Sequence, residues 1–374
     1  MANKLDSHLA QGSLQAYFAA HKIKPLLNVL LEQVVLHRPD DVLEFMIDLL
    51  ETDHVMTVPP KNVFVRRNTL DTKTLKEEFD EASGNVVKVN QYTLGRLLGR
   101  GGFAEVYLAF FKTGLSPVPE YYAIKVVNRK RLARKRLGRS SNALILLAKE
   151  IAVWKKLVHP NLVNLVEVID DHKHDHVYLV AELMSGGTVM EDEEPLPLDI
   201  AKRYIFQLLK ALVYLHAHGI AHRDVKPGNM LLSEHGVMKL TDFGVSQLFD
   251  TADMNDEVSN TAGTPHFMSP EMCDEKSAEK GFHAMKSDIW AAGISLYMMV
   301  VGRPPFKARN IPDLFDVIVA AEIDYSHAVF KENPVMRKCV QTMLTIDPDQ
   351  RPVASACLEL EWFNGSWGGS TAVK

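Results

Sequence analysis

The sequence contains little cysteine, which limits the chemistry it can carry. It has three cysteines among 374 residues, Cys273, Cys339 and Cys357, and none belongs to a Cys-x-x-Cys or Cys/His cluster. Three such residues cannot form a disulfide framework, and without clusters a structural zinc site of the usual spacing is excluded. We therefore expect the protein to work in a reducing compartment and to be cytoplasmic.

Long hydrophobic runs and an excess of positive charge are also missing. The longest weakly polar run, residues 289–302, has 14 residues. A bilayer span needs about 20, so we predict a buried helix here and no membrane span. No apolar core follows Lys4 and Asp6, which argues against a signal peptide. Lysine and arginine total 42 against 47 acidic residues, and this balance does not favour a nucleic-acid partner.

Apolar residues recur at helical spacing in the first fifty residues. One apolar face covers residues 26–35, Arg38-Pro39-Asp40-Asp41 interrupts it, and a second covers residues 42–50. The pattern predicts an all-α helical hairpin over residues 10–51. About forty residues bury too little apolar surface to be stable alone, so we expect two copies to pair as a four-helix bundle with a groove for a partner helix. The alternative is packing against the rest of its own chain.

The remaining chain divides into a polar segment, a long block and a short tail. Residues 52–88 show no hydrophobic period and predict a linker, with one short helix over Asp71–Ala82. Residues 89–364 begin with strand-like runs and continue mostly with helical spacing, and residues 365–374 predict a flexible tail. The strand-like runs are Tyr92–Leu98, Glu105–Phe111, Tyr121–Val127, Val177–Glu182 and Met238–Thr241, and a clear helical run is Ile200–His218.

A glycine-rich loop separates the first two strand-like runs. It reads Leu98-Gly99-Arg100-Gly101-Gly102-Phe103-Ala104, followed by Glu105-Val106. The glycines allow a backbone turn to approach a phosphate and to offer N–H donors to it. A dinucleotide-binding fold would have a helix after the loop, and no Gly-x-x-x-x-Gly-Lys-Ser/Thr motif is present. By itself the loop is also compatible with a purely structural hairpin.

A lysine and a glutamate further along the chain are predicted to pair. Lys125 ends the apolar strand Tyr122-Ala123-Ile124-Lys125, where an anionic ligand would explain it and a snorkelling lysine is the alternative. Glu150 lies in a segment whose apolar stripe indicates a helix beside the sheet. The ion pair would hold the lysine over the α- and β-phosphates of a nucleotide.

Two further motifs supply carboxylates. They are His222-Arg223-Asp224-Val225-Lys226-Pro227-Gly228-Asn229 and Asp242-Phe243-Gly244. Asn229 and Asp242 offer the hard oxygen ligands that Mg²⁺ prefers. Asp224 would accept the hydrogen bond of an attacking hydroxyl, and Lys226 would neutralise charge on a transferring γ-phosphoryl group.

Each motif alone is weak, but their order along the chain is specific. Residues 90–364 resemble the catalytic domain of eukaryotic serine/threonine protein kinases, most closely the calcium/calmodulin-dependent protein kinase kinases. The closer likeness lies in Asn90–Leu94, Leu165–Asp171, Val189–Glu191, Asp242–Ser246 and Ser259–Pro265. The resemblance implies an α+β, bilobal kinase fold, with a small lobe of antiparallel sheet and one helix and a large helical lobe, preceded by the all-α hairpin.

The resemblance also implies the reaction and its residues. The γ-phosphoryl group of Mg-ATP would pass to a serine or threonine of a protein, with the activation loop of a downstream kinase as a candidate substrate. Asp224, Lys226, Lys125, Glu150 and Thr264 would be catalytic, with Asn229 and Asp242 on the metal. The ATP contacts would be Leu98, Gly99, Arg100, Gly101, Gly102, Phe103, Ala104, Val106, Ala123, Lys125, Ala181, Glu182, Met184 and Leu231. The alternative is a pseudokinase scaffold, against which the complete motif set argues.

Some of these roles specify contacts that a structure can test. Val106, Ala123 and Leu231 would sandwich adenine, Glu182 and Met184 would offer it backbone groups, and Ala181 would be a small gatekeeper. Thr264 would contact Asp224 and Lys226. Trp154, His222 and Phe243 would stack, Glu271 would pair with Arg351, and Asp288 would cap the catalytic-loop backbone.

Other sequence features concern regulation and protein partners. Ser259, Thr261 and Thr251 are candidate phosphorylation sites that Arg223 would read. Basic residues between 129 and 139 predict either a docking patch or a solvated face.

Within the hairpin, Tyr17-Phe18, Leu26-Leu27 and Leu30-Leu31 resemble the dimerisation-and-docking domain of type II regulatory subunits of cAMP-dependent kinase. This second resemblance implies a homodimer that binds an amphipathic anchoring helix, with cytoskeletal or flagellar placement by analogy.

Overall fold

The computed structural model describes most of the motif-bearing block. The described residues are 69–80, 85–101, 104–112, 119–133, 136–137, 141–190, 193–249, 256–258, 262–274, 276–277 and 281–364. The hairpin predicted over residues 10–51 and the tail predicted over residues 365–374 lie outside them. So do Gly102, Phe103 and the candidate phosphorylation sites Ser259, Thr261 and Thr251.

Most strands of the small lobe belong to one sheet. The strands of this lobe are β1 (Leu70–Thr72), β2 (Glu77–Phe79), β3 (Val86–Val89), β4 (Tyr92–Arg100), β5 (Ala104–Phe111), β6 (Glu120–Asn128), β7 (Arg136–Leu137), β8 (Ser141–Asn142), β9 (Leu165–Ile169) and β10 (His176–Glu182). Eight of them pair in the order β1-β9-β10-β6-β5-β4-β3-β2, while β7 and β8 pair separately. The four strands predicted in this part of the chain are thereby confirmed to within two residues at each end.

Residues 70–89 differ from the expectation. They were expected to be part of a linker with a helix over Asp71–Ala82, but they form three strands of the sheet. β1 runs parallel to β9, with Leu70 opposite Glu167, and β2 and β3 extend the other edge. The helix prediction is wrong because edge strands are half exposed and show little alternation, while their hydrogen-bond partners lie far along the chain.

In the described part of the small lobe there are two helices, α1 (Arg129–Ala133) and α2 (Ala143–Trp154). The inward face of α2 buries Leu147, Val153 and Trp154, and this orientation also buries Glu150. The basic run begins in α1. Arg129 pairs with Asp170 and donates to two backbone oxygens of the 171–174 loop, so its guanidinium supports the fold and is neither docking patch nor solvated face.

The large lobe is mostly helical. Its helices are α3 (Leu198–Ala217), α4 (Pro270–Cys273), α5 (Ala284–Val301), α6 (Ile311–Ala320), α7 (Ala328–Glu332), α8 (Pro334–Met343), α9 (Ala354–Leu358) and α10 (Glu361–Asn364). Its short strands are β11 (Ile220–Ala221), β12 (Met230–Leu232), β13 (Met238–Leu240), β14 (Gln247–Leu248), β15 (Glu257–Val258) and β16 (Phe282–His283). The predicted helix over residues 200–218 and the predicted strand over residues 238–241 are confirmed as α3 and β13.

Helix α5 forms the centre of this lobe. After its polar first turns it is apolar on nearly all sides, and most of it is buried, as expected for a core helix. It ends at Gly302, whose φ of 85° is the left-handed conformation that suits glycine at a helix end. Among the described residues, no helix combines the length and apolarity that a bilayer crossing requires.

A buried ion pair ties the lobe together beside α5. Arg351, which is fully buried, donates to both carboxylate oxygens of Glu271 at 2.7 and 3.0 Å, as predicted. It also donates to three backbone oxygens, those of Lys286, Thr345 and Ile346. Because Glu271 belongs to α4 and Arg351 precedes α9, the pair fixes α4 against the segment before α9.

Candidate active site

Lys125 and Glu150 meet at the inner face of the small lobe. Strand β6 places Lys125 opposite Val106 of β5, and its Nζ donates to Glu150 Oε1 at 2.6 Å. Asp242 Oδ1 lies 3.6 Å from the same nitrogen. Burial alone would lower the pKa of Lys125, but the two carboxylates outweigh it and raise the pKa above its usual value. The lysine therefore stays charged where an anion would bind.

The glycine loop joins β4 to β5. Register shifts on either side of Leu97 bend β4, and the Gly101 N–H donates to Ala104 O at 2.8 Å. Among the described residues, a Cβ added at Gly99 would meet nothing within 4 Å, and one at Gly101 only the Ala104 oxygen at 3.5 Å. No close neighbour in this described part of the chain requires these glycines, and the open space beside them suits the phosphates of a nucleotide.

The catalytic-loop carboxylate Asp224 is surrounded by donors. Lys226 Nζ donates to Asp224 Oδ2 at 2.6 Å, and Asn229 Nδ2 donates to the same oxygen at 2.9 Å. Thr264 Oγ1 donates to Oδ1 at 2.8 Å. Burial alone would raise the pKa of this carboxyl, but the hydrogen bonds from Lys226 and Thr264 outweigh it and hold the pKa below its usual value. Asp224 is thus ionised and able only to accept.

A buried aspartate holds the backbone of this loop. Asp288 of α5 accepts the His222 N–H and the Arg223 N–H, both at 2.8 Å, as predicted. Arg223 has a φ of 68°, an uncommon conformation that this double hydrogen bond stabilises. Gly263 packs on the other side of the loop, where a Cβ would come within 2.4 Å of the Arg223 oxygen, so only glycine fits.

Asn229 and Asp242, the two expected metal ligands, are joined through the backbone of Thr241. The Thr241 N–H donates to the Asn229 backbone oxygen at 3.0 Å, which brings the residue before Asp242 against Asn229. Asn229 uses its amide nitrogen on Asp224, so its amide oxygen is the atom that would bind a metal. Asp242 is half exposed and has a φ of 67°. One carboxylate, one amide oxygen and incoming phosphate oxygens form the ligand set that Mg²⁺ prefers, so the residues fit this ion.

Three side chains predicted to stack are in ring contact. Phe243 lies 6.0 Å from Trp154, tilted by 43°, and 5.3 Å from His222, edge-on at 67°, measured between ring centroids, so the predicted contacts are present but the rings do not stack face to face. Trp154 donates through Nε1 to Val163 O at 2.7 Å. These ring contacts connect α2, which carries Glu150, to the catalytic loop.

Glu182, one of the residues expected to bind adenine, makes a contact that the sequence did not predict. Glu182, at the end of β10, accepts hydrogen bonds from Lys239 of β13 at 2.8 Å and from the Asn164 N–H at 2.7 Å. It therefore links the two lobes. Nothing in the sequence around Lys239 indicates that it pairs with Glu182, so this contact could not be predicted. Ala181 lies opposite Ala123 in the sheet, and Leu231 lies in β12.

Fold and site together define a phosphoryl-transfer enzyme of the protein kinase type. The family model described as "Protein kinase domain" matches residues 92–363, and the chain belongs to this family. It is 35% identical over 283 residues to the serine/threonine-protein kinase GRIK2 of Arabidopsis thaliana, which covers 75% of this chain and 67% of that protein. A calcium/calmodulin-dependent protein kinase kinase of Caenorhabditis elegans is 35% identical over 302 residues, covering 75% of this chain and 54% of that protein.

These relatives settle the reaction class. The chain is a serine/threonine protein kinase, and the pseudokinase alternative is not favoured. A protein kinase domain implies ATP and protein substrates, and typically the use of Mg²⁺.

Proposed function

We propose that this kinase phosphorylates a serine or threonine on the activation loop of a downstream kinase. Two observations support the choice of substrate. The nematode relative is, as its name says, a kinase of a kinase, and it is 35% identical to this chain. The stretches Leu165–Asp171 and Ser259–Pro265 resemble that family.

The observation that carries the catalytic proposal is the set of hydrogen bonds on Asp224. Its carboxylate is ionised and held by Lys226, Asn229 and Thr264. Asp224 orients the substrate hydroxyl by accepting its hydrogen bond. Lys226 stands 2.6 Å from that carboxylate and stabilises charge on the γ-phosphoryl group during transfer.

On the nucleotide side, Lys125 holds the α- and β-phosphates while Glu150 fixes its position. Asn229 and Asp242 would hold Mg²⁺, which would supply positive charge against the phosphate oxygens. The Glu182 N–H already donates to Asn164, and the Met184 oxygen accepts from Gly187. Adenine is therefore read by the Glu182 carbonyl and the Met184 N–H, with Val106, Ala123 and Leu231 against its faces.

The N-terminal hairpin, residues 10–51, is proposed to dimerise the kinase and to bind an amphipathic anchoring helix. Support comes from its sequence pattern and its resemblance to dimerisation-and-docking domains. The same analogy favours a cytoplasmic kinase placed at a cytoskeletal structure. Light scattering of the full chain and of a chain lacking residues 1–60 tests the dimer, with dimer and monomer as the expected masses. Equal masses would contradict it.

The substrate proposal is tested with intact kinases as acceptors. Full-length enzyme and Mg-ATP are incubated with catalytically dead kinases, and with the same proteins whose activation-loop serine and threonine residues are replaced by alanine. We expect labelling of the first set and its loss in the second. Labelling that survives the alanine replacements, or that favours a generic basic protein, would contradict the substrate class and leave the reaction class untouched.

A further inference from the structure

Residues 69–79, here called the strap, bridge the two edges of the small-lobe sheet. The strap precedes the family-matched residues 92–363 and contains β1, at one end of the strand order, and β2, at the other. Only residues 73–76 connect them, and such a link spans at most about 18 Å. Eight strands laid flat would place the edges roughly 34 Å apart. The sheet is therefore curled, and the strap lies where its edges approach each other.

The strap is anchored in the interior of the lobe. Leu75, 7% exposed, packs in the cluster around Tyr92, Ile124 and Tyr178. Thr72 donates through Oγ1 to the buried carboxylate of Glu167 and accepts the Asp170 N–H at 2.9 Å. The two hydrogen bonds of Thr72 attach the strap to β9 and to the residue that follows it. The strap is therefore held at the edge of the sheet.

The strap also touches the helix that carries Glu150. Asp71 pairs with Lys155, the residue that directly follows α2. The Lys155 N–H donates to Ile151 O at 3.0 Å, so Lys155 continues the helical ladder five residues beyond Glu150. A displacement of this end of α2 relative to the sheet would move Glu150 away from Lys125.

We propose that the strap positions α2, and through it the Lys125–Glu150 pair, with Asp71 and Lys155 as positioning residues. The proposal rests on the role of Glu150 given under the proposed function. Both partners of the ion pair are partly exposed. Loss of the pair therefore shifts the equilibrium between the observed and the displaced position of α2 by only about two- to five-fold. Such a change is too small to unfold the lobe but large enough to measure in catalysis.

The test uses the full chain with Asp71→Lys, Lys155→Asp and the charge-swapped double variant. Glu78→Lys is the matched control, because Glu78 lies in the same strap and forms an exposed pair with Lys88 on the far edge of the sheet. Two readouts are taken: kcat/KM for ATP, and amide hydrogen exchange of residues 148–155, which does not depend on catalysis.

We expect each single charge reversal to lower kcat/KM about two- to five-fold and to speed exchange in residues 148–155. The double variant should recover both readouts, and the control should change neither. The proposal is overturned if Asp71→Lys behaves like Glu78→Lys, or if the double variant is as impaired as the single variants. Faster exchange with unchanged catalysis would uphold the strap's effect on α2 and contradict the proposed role of Glu150.

Discussion

Thr264 Oγ1 lies 2.6 Å from Lys226 Nζ, which joins the segment after residue 262 to the catalytic loop. The same hydroxyl donates to Asp224 Oδ1 at 2.8 Å. One threonine thus bridges the two side chains proposed to act directly on the substrate hydroxyl and the γ-phosphoryl group. The arrangement makes the position of this segment a condition for catalysis.

Replacing Thr264 by alanine should lower kcat. The change removes one hydrogen bond from each of two charged groups, Lys226 and Asp224. A hydrogen bond to a charged group contributes about 1.5–3 kcal/mol, so we expect a fall of at least about tenfold. Thr264→Ser keeps the hydroxyl and serves as the control. Steady-state kinetics with a protein substrate measure both variants. If alanine and serine have the same kcat, the bridging hydroxyl has no catalytic role.

Ala181 should leave room beside adenine for a large substituent. It is nearly buried and faces another alanine, Ala123, across β10 and β6. An ATP-competitive purine with a bulky group on its exocyclic nitrogen should therefore inhibit the enzyme. Ala181→Phe fills this space, and overpacking of this kind costs about 1–3 kcal/mol, so inhibition should weaken by about fivefold to a hundredfold with the KM for ATP little changed.

The control for the gatekeeper prediction is Ala320→Phe, an exposed position at the end of α6. It should leave inhibition as in the parent enzyme. Equal inhibition of the parent and Ala181→Phe would show that the space beside Ala181 does not admit the substituent.

Arg351→Met should destabilise the large lobe strongly. The variant leaves Glu271 as a buried, unpaired carboxylate and frees three backbone oxygens. Breaking a buried pair in this way costs about 3–5 kcal/mol. Urea unfolding measures the loss, and Arg309→Met, at an exposed position, should change stability by less than about 0.5 kcal/mol. Similar losses in both variants would contradict the structural role of the pair.

His159 should make stability depend on pH. It is buried and accepts the Asn161 N–H at Nδ1, which requires the neutral ring. Burial, reinforced by Lys210 and Lys239, lowers its pKa to about 3. The unfolded chain binds this proton near pH 6.5 and the folded chain does not. The contribution of His159 to the free energy of unfolding is therefore fully present above pH 6.5 and is lost as the pH falls toward 3.

Because of His159, we expect the free energy of unfolding to fall by about 2 kcal/mol between pH 8 and pH 5. Urea unfolding at these two values should show a smaller loss for His159→Gln than for the parent. His172→Gln, at an exposed position, is the control and should follow the parent. An identical loss in the parent and His159→Gln would assign the pH dependence to other groups.

Sequence reasoning found the elements whose signals are local. The strands and helix around Lys125, Glu150 and the catalytic loop follow from hydrophobic period and motif order, and the structure contains them. The pairing of Glu271 with Arg351 came from the family resemblance alone. No local pattern connects two residues that lie 80 positions apart in the chain.

The features that were missed depend on distant partners. The strap has no alternation of its own, and its strands exist because β9 and β3 offer hydrogen bonds. Lys239 pairs with Glu182, 57 positions away, and Arg129 is bound by the loop that begins at Asp170. A single sequence gives the charge of such residues but not what lies opposite them.

The most direct test of the account compares the parent enzyme with Asp224→Asn. Binding of Mg-ATP is measured by calorimetry, and transfer of the γ-phosphoryl group to a protein acceptor is followed under saturating ATP. We predict an unchanged Kd for Mg-ATP and a loss of transfer of about a thousandfold or more, because the neutral amide cannot replace the ionised acceptor. Transfer at the parental rate by Asp224→Asn would show that this carboxylate does not carry the reaction.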